Sequence, residues 1–241
     1  MLKYFFTLLI GILTAAATMA QPAKKATAFF NSGIKLKESG MFLEAIASFK
    51  KAVVLNKKYD SAYLELGMLY VKVSKADSAI MTLKNAVKIN PGFTNAYIAM
   101  GNIYRDYIKN ADEAIVNYLS ALKKDSTNKV TWYSVAWCYN SKEYYREAVR
   151  YAIKALEIDN NYKPAYNELG HAYRKLGAYE EAVAQFKKNM TVSVNELPYL
   201  YSGYCYVELK QKENALLMFD ELNKLNPKMA EALKKRIDAM Q

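Results

Sequence analysis

The chain repeats itself with a period of about 34 residues, and that periodicity rules out most other folds. A small residue recurs as Gly33, Gly67, Gly101, Ala136, Gly170 and Gly203, at spacings of 34, 34, 35, 34 and 33. A second column, Ala45, Ala79, Ala114, Ala148, Ala182 and Ala215, recurs at spacings of 34, 35, 34, 34 and 33. A third follows it by four positions: Phe49, Leu83, Tyr118, Ala152, Phe186 and Phe219. Columns that agree through six turns of the sequence define a repeat array, in which each unit buries its apolar face only by stacking on the next.

Each period reads as two helices. In the second, Tyr63, Leu66, Gly67 and Tyr70 share one helical face, Ser74 to Asp77 interrupt it, and Ala79, Leu83, Ala86 and Val87 begin another. Connections this short make neighbouring helices antiparallel. Proline after Asn90 and Asn226 ends the second helix of two units. The small residues let backbones cross closely. Aromatic columns, Phe29, Tyr63, Tyr97, Trp132, Tyr166 and Tyr199 with Leu36, Tyr70, Tyr104, Tyr139, Tyr173 and Tyr206, are expected to fill the space around them. The third unit carries one extra residue near 107–111, and one is missing between Ala182 and Gly203.

In order, a tryptophan or tyrosine, Leu66-Gly67 or Leu169-Gly170, Tyr70, Ala79, Leu83 and Pro91 follow the signature of the tetratricopeptide-repeat (TPR) family, which the chain resembles from residue 26 to about 227. The resemblance implies an all-α, right-handed superhelical solenoid of antiparallel helix pairs, with a concave groove that holds peptides or partner domains. The sequence departs from the signature where Lys57, Ser126, Asn160 and Val194 replace proline and where Asn189 and Leu222 replace alanine. The expected organisation is a leader at 21–25, six units at 26–59, 60–93, 94–128, 129–162, 163–195 and 196–227, and a capping helix at 228–241 with Leu233, Ile237 and Met240 on one side.

Residues 1–20 read as a secretory signal peptide. Lys3 precedes a short apolar run, and Thr18-Met19-Ala20 places small residues where signal peptidase cuts, before Gln21. The run falls short of the ~20 residues of a membrane span, so export to the periplasm, the cell envelope or the extracellular space is expected, with a retained anchor helix as the alternative. Removal takes one basic residue, leaving 33 basic against 23 acidic side chains, about +10. The lysine pairs Lys50-Lys51, Lys57-Lys58, Lys123-Lys124 and Lys187-Lys188 belong late in second helices, where they complement the dipole and solvate an outer face. The same charge suits an anionic envelope surface. There is no arginine-rich arm or nucleic-acid motif, so nucleic acid is not an expected partner.

No catalytic set is present. The single histidine, His171, excludes a two-histidine metal centre, and no phosphate loop, dinucleotide fingerprint or serine elbow appears. Neither a metal nor a cofactor is expected. Cys138 and His171 fall in neighbouring units, but Cys138 lies on a packing flank and reads as a structural thiol. Cys205 stands two units away, too far for a disulfide. Function is therefore assigned to first-helix positions that the packing columns leave over. These are Leu64 and Met68, Ile98, Asn102 and Arg105, Tyr133, Trp137 and Asn140, Asn167, His171 and Arg174, and Leu200 and Tyr204. Aromatic platforms mixed with amide and guanidinium donors suit an extended peptide. Phe30, Leu64 and Tyr133 stand where the chaperone-tail clamp of some family members needs polar groups, so that ligand is not inferred. The expectation is a non-catalytic scaffold that binds a partner protein in its groove. An accessory subunit of an envelope enzyme or secretion complex, held by its basic face, is the alternative.

Overall fold

The computed structural model describes residues 21–190 and 195–240, and all regular structure within them is helical. The expected signal segment, residues 1–20, lies outside the described residues. The first helix, α1, covers 21–38, so the expected leader at 21–25 is continuous with it. It is followed by α2 (Phe42–Leu55), α3 (Asp60–Lys72), α4 (Ala76–Ile89) and α5 (Thr94–Ile103), then a π-helical turn at Tyr104–Ile108. The remaining helices are α6 (Ala111–Leu122), α7 (Lys129–Ser141), α8 (Tyr145–Ile158), α9 (Lys163–Lys175), α10 (Tyr179–Met190), α11 (Leu197–Glu208), α12 (Lys212–Leu225) and α13 (Pro227–Asp238). The chain forms two compact units, one ending at Lys109 and the other beginning at Asn110.

In each unit successive helices pack as antiparallel neighbours, and first helices also touch one another: α3 meets α5, and α9 lies between α7 and α11. Within a pair, the glycine column serves the third column. A methyl group placed on Gly33 would come 2.8 Å from the Phe49 ring, on Gly67 2.8 Å from Leu83, and on Gly170 2.7 Å from Phe186. Phe49, Leu83 and Phe186 are all essentially inaccessible, so the missing side chain is what lets them in. The last unit differs from the sequence reading. Gly203 is filled not by Phe219 but by Leu233 of α13, the most buried apolar residue facing that glycine. The capping helix begins at Pro227, with the Asn226 side chain accepting from the Met229 N–H, and it buries Ala230, Leu233 and Ile237.

Most of the aromatic columns are half-buried rather than filling the core; only Tyr166 and Tyr206 are buried. The fully enclosed positions belong instead to the alanines, Ala45, Ala79, Ala114, Ala148, Ala182 and Ala215 among them. The rings lie at the flanks, and their polar ends tie down loops: Trp132 Nε1 donates to Ser126 O at 2.8 Å and Tyr166 Oη to Asn160 O at 2.8 Å, the same position in adjacent units. Several lysines expected to point only at solvent lay their ammonium groups over these rings, as Lys51 does over Phe29 at 5.2 Å and Lys188 over Tyr166 at 4.9 Å.

Turns between the two helices of a unit repeat in detail. A residue with positive φ stands seven positions after the crossing residue: Gly40, Ser74, Glu143, Gly177 and Lys210. The following N–H reaches back five residues, to the carbonyls of Leu36, Tyr70, Tyr139, Tyr173 and Tyr206, closing a Schellman turn. In the third unit the left-handed residue is Lys109, eight positions after Gly101, and its N–H bonds Tyr104 O across the π turn. The extra residue of that unit is thus absorbed as one wide helical turn, the usual result of a single insertion in a helix.

Candidate functional site

The site lies in the unit that begins at Asn110, where α7, α9 and α11 run side by side. Their exposed edge encloses a cavity of about 290 Å³ lined by Trp137, Asn140 and Ser141 from α7, Asn167, Glu168 and His171 from α9, and Leu197 and Tyr201 from α11. Helical spacing explains the set: Trp137 with Ser141, and Asn167 with His171, are four apart and share a face. Trp137 remains 36% exposed, unusual for a tryptophan in an array whose core is made of alanine.

The polar groups beneath the rings are largely engaged. Asn140 is buried, and its Nδ2 donates to Glu168 Oε2 at 2.7 Å and to Glu168 O at 3.0 Å. Its Oδ1 is buried without a hydrogen-bond partner. Burial pushes the Glu168 carboxyl above the usual range, against the opposing pull of the Asn140 bond. Asn167 Oδ1 accepts from Asn189 Nδ2 at 2.6 Å, so the asparagine that replaces a repeat alanine fixes the orientation of a site amide from behind. His171 lies edge-on between Tyr145 and Tyr201, each ring 6.2 Å away. Its pKa is lowered to about 4, first by burial and then by Arg174 and Lys175, which makes it a neutral imidazole at physiological pH.

A second hollow of about 240 Å³ adjoins this cavity, lined by Arg174, Lys175, Tyr179, Tyr204, Glu208 and Arg236. The Arg174 guanidinium lies 4.9 Å over the Tyr201 ring, and that of Arg236 lies 4.4 Å over Tyr204.

Of the residues expected to form a groove, Trp137, Asn140, Asn167 and His171 therefore converge on one cavity, and Arg174 with Tyr204 on its neighbour. Asn140 is not a spare donor, because Glu168 consumes its amide. Tyr133 is half-buried and packs edge-on to Tyr162 at 5.8 Å. Leu200 is core, 8% exposed, and not a groove residue. Asn102 and Arg105 belong to the unit ending at Lys109. There Arg105 is held by its neighbour, with Nε 2.6 Å and an Nη nitrogen 2.8 Å from the Asp106 carboxylate, so it is not an idle cation. Sequence reasoning missed Ser141, Glu168, Leu197 and Tyr201. Glu168 was accessible to it: Glu65 and Glu168 both stand two residues before a crossing glycine, and a polar side chain precedes each by 28 positions, Lys37 and Asn140.

The two thiols are closed off from solvent. Cys138 and Cys205 are fully buried and unjoined by a disulfide, and burial pushes the Cys205 thiol up to about 12. Among the described residues no group of acids, cysteines and histidine could hold a metal ion, and no helix is long and apolar enough to cross a membrane.

Models of the tetratricopeptide repeat match residues 60–93, 130–162, 164–189 and 199–228. A TPR repeat-containing protein of Methanocaldococcus jannaschii is 24% identical over 185 residues, 75% of this chain and 28% of its own. The chain spans about a quarter of the length of the curated relatives it matches. Among solved structures, MamA is 26% identical with a TM-score of 0.65, covering 69% of this chain and 91% of its own. YrrB, described as a TPR protein with an unusual peptide-binding site, is 24% identical with a TM-score of 0.69, covering 78% of this chain and 97% of its own.

Proposed function

The chain belongs to the tetratricopeptide-repeat family, and from that premise we propose that it is a non-catalytic scaffold that holds a segment of a partner protein against α7, α9 and α11. The family and fold are in general those of non-catalytic scaffolds that bind protein or peptide partners. The observation that carries the reading for this chain is Trp137, a large ring left 36% exposed on the wall of a cavity whose floor is largely hydrogen-bonded. Such a surface offers apolar contact over a rigid base, which favours capture of an extended segment over chemistry upon it. The likeness to YrrB supports a peptide as the form of ligand at the level of fold.

The scaffold is proposed to act outside the cytoplasm, in the periplasm or cell envelope, on the strength of Lys3, the apolar run after it and Ala20. The formal charge of +11 supports a subsidiary attraction to anionic envelope surfaces or to a larger envelope complex.

One experiment tests both parts. The full-length chain is expressed with its own N-terminus, and the exported product is recovered and used to capture partners from envelope extract. Intact mass should show a start at Gln21. Wild type should retain a discrete partner at moderate salt, and Trp137→Ala should lose it while keeping its helicity. Equal retention by both proteins removes the pocket as the binding site, and a product that keeps residues 1–20 removes the processing reading.

A further inference from the structure

The basic charge of the chain is unevenly placed. Residues 21–109 carry 14 basic and 6 acidic side chains, whereas residues 110–241 carry 19 and 17. In the first set Arg105 is the one arginine and the rest are lysines. There the second helices α2 and α4, which both pack against α3, present the same outward ridge 34 residues apart. On α2 it runs Leu43, Ala47, Lys50, Lys51 and Val54, and on α4 Asp77, Met81, Lys84, Asn85 and Lys88, all exposed. Leu43, Val54 and Met81, each at least 66% exposed, are the most exposed large apolar side chains among the described residues. Lys50 leans over the Tyr70 ring of α3 at 5.8 Å and Lys51 over the Phe29 ring of α1 at 5.2 Å, and Val54 stays uncovered. None of the four ridge lysines is in an ion pair among the described residues. The equivalent ridges of the other unit carry Asp112, Glu157, Glu180, Glu213, Asp220 and Glu221. Leu217 of α12 is exposed too, but it stands among the last three of these acids. The basic residues of α8 are partly engaged: Lys154 pairs with Glu157 at 2.7 Å, and Arg150 donates to Tyr151 Oη at 3.0 Å.

We propose that α2 and α4 dock this outer face on the surface of an anionic phospholipid bilayer, with the lysines among the headgroups and Leu43, Val54 and Met81 at their boundary with the acyl chains. The proposal rests on the attraction to anionic envelope surfaces read above and gives it a face and a partner. Charge decides the sign of that partner. Four lysines without ion-pair partners, against Asp77 on the ridges and Glu44 beside Leu43, draw an acidic surface and repel a basic one. The spacing of the apolar side chains decides its form. Leu43 and Val54 are three helical turns apart, about 16 Å, with lysines between them, so they offer no continuous apolar core for a protein partner to pack against. Each can dip singly into the interface of a bilayer, whereas a soluble polyanion would leave them in water. Lysine suits the place better than arginine: its apolar stem lies along the boundary while the ammonium reaches the phosphates, and diffuse attraction needs no paired N–H geometry. No residue lining the Trp137 cavity belongs to α2 or α4, so docking takes none of the groove's side chains.

The test is sedimentation of the exported product with vesicles of phosphatidylcholine alone and of phosphatidylcholine and phosphatidylglycerol in equal parts, at low and at physiological salt. Every variant has the wild-type N-terminus, so any contribution of residues 1–20 appears on neutral vesicles as well. Wild type should bind the mixed vesicles at least about tenfold more tightly than the neutral ones. Lys50→Gln, Lys51→Gln, Lys84→Gln and Lys88→Gln together should weaken that binding at least about tenfold, with helicity and melting unchanged. Leu43→Ser with Val54→Ser and Met81→Ser should remove most of the binding that survives at physiological salt. The control takes four charges from the other unit, as Arg146→Gln, Arg150→Gln, Lys187→Gln and Lys188→Gln, and should bind within about twofold of wild type, since charges beyond a Debye length of the bilayer add little. Equal binding to the two kinds of vesicle, unchanged binding by the serine variant, or equal losses in the lysine and control variants overturns the proposal. Heparin, a soluble polyanion, separates its fate from that of the charge reading. Wild type that binds heparin but neither vesicle keeps the attraction to anions and loses the bilayer; wild type that binds none of them loses both. Trp137→Ala should bind mixed vesicles as wild type does, and a loss there would move the bilayer to the groove and overturn the face proposed.

Discussion

Asn140 and Glu168 lock adjacent first helices together: Asn140 Nδ2 lies 2.7 Å from Glu168 Oε2, and Lys37 makes the same reach to Glu65 at 2.7 Å. In both pairs the donor stands four residues after one crossing residue and the acid two residues before the next. Arg174 occupies the donor slot of the next unit and meets Tyr201 in the acid slot, exchanging a hydrogen bond for a stacked cation. The edge of the site is therefore also an inter-unit staple. Asn140→Ala should leave a buried carboxyl without its donor and cost about 1–3 kcal/mol in denaturant unfolding. Asn140→Asp should do worse at neutral pH by facing one carboxylate with another.

The site should report on pH through its single histidine. The pKa of His171 is about 4 in the folded chain against an ordinary 6.5, so the neutral ring is the one the fold prefers. A depressed pKa contributes stability that is complete above about pH 6.5 and is lost as pH falls towards 4. Glu168, raised by burial, acts in the opposite sense: its contribution is complete in acid and declines as pH rises beyond the ordinary carboxyl range. The NMR titration of the one histidine should have its midpoint well below 6.5, and His171→Gln should flatten the loss of stability between pH 6.5 and 4. A midpoint near 6.5 would contradict the packing of Tyr145 and Tyr201 around the ring.

Glu143 is held at φ +63° in the turn between α7 and α8, where Gly40 and Gly177 do the same work in other units. A side chain in the left-handed region costs roughly 1 kcal/mol that glycine avoids. Glu143 is exposed, so Glu143→Gly should raise unfolding stability by about 0.5–1 kcal/mol, measured in urea. Gly177→Ala should lower it by a similar amount, although nothing lies within 4 Å of the added methyl group.

The helix pairs and their period were legible because the crossing glycines and the alanines behind them obey a steric rule that spacing alone reveals. Part of the candidate site was legible for the same reason: Trp137, Asn167 and His171 fall at residues the packing columns leave over. What spacing could not reveal was which polar groups are already consumed. The amide of Asn140, the guanidinium of Arg105 and the burial of Leu200 depend on partners in another helix or on a local carboxylate. Lys109 shows the same limit in the backbone. The sequence reports one residue too many, but a widened turn and a bulged loop give the same count, and only the hydrogen bond to Tyr104 O distinguishes them.

The capping helix provides the last test. Leu233 is fully buried and fills the space left by Gly203, a place that Phe186 occupies against Gly170 one unit earlier. In the earlier unit the filling side chain comes from the unit's own second helix; in the last it comes from α13. Truncating Leu233 therefore opens a cavity at the only joint that holds α13 to α11 through a crossing glycine among the described residues, and Leu233→Ala should cost about 2–5 kcal/mol. Because an array loses its ends first, the loss should appear as faster amide exchange along α13, with α7 and α8 retaining their protection. The same variant should leave the Trp137 cavity intact, since none of its lining residues belongs to α13. Uniform loss of protection along both α13 and α7 would mean that the unit unfolds as one piece, and that the helix closes the whole core rather than its last joint.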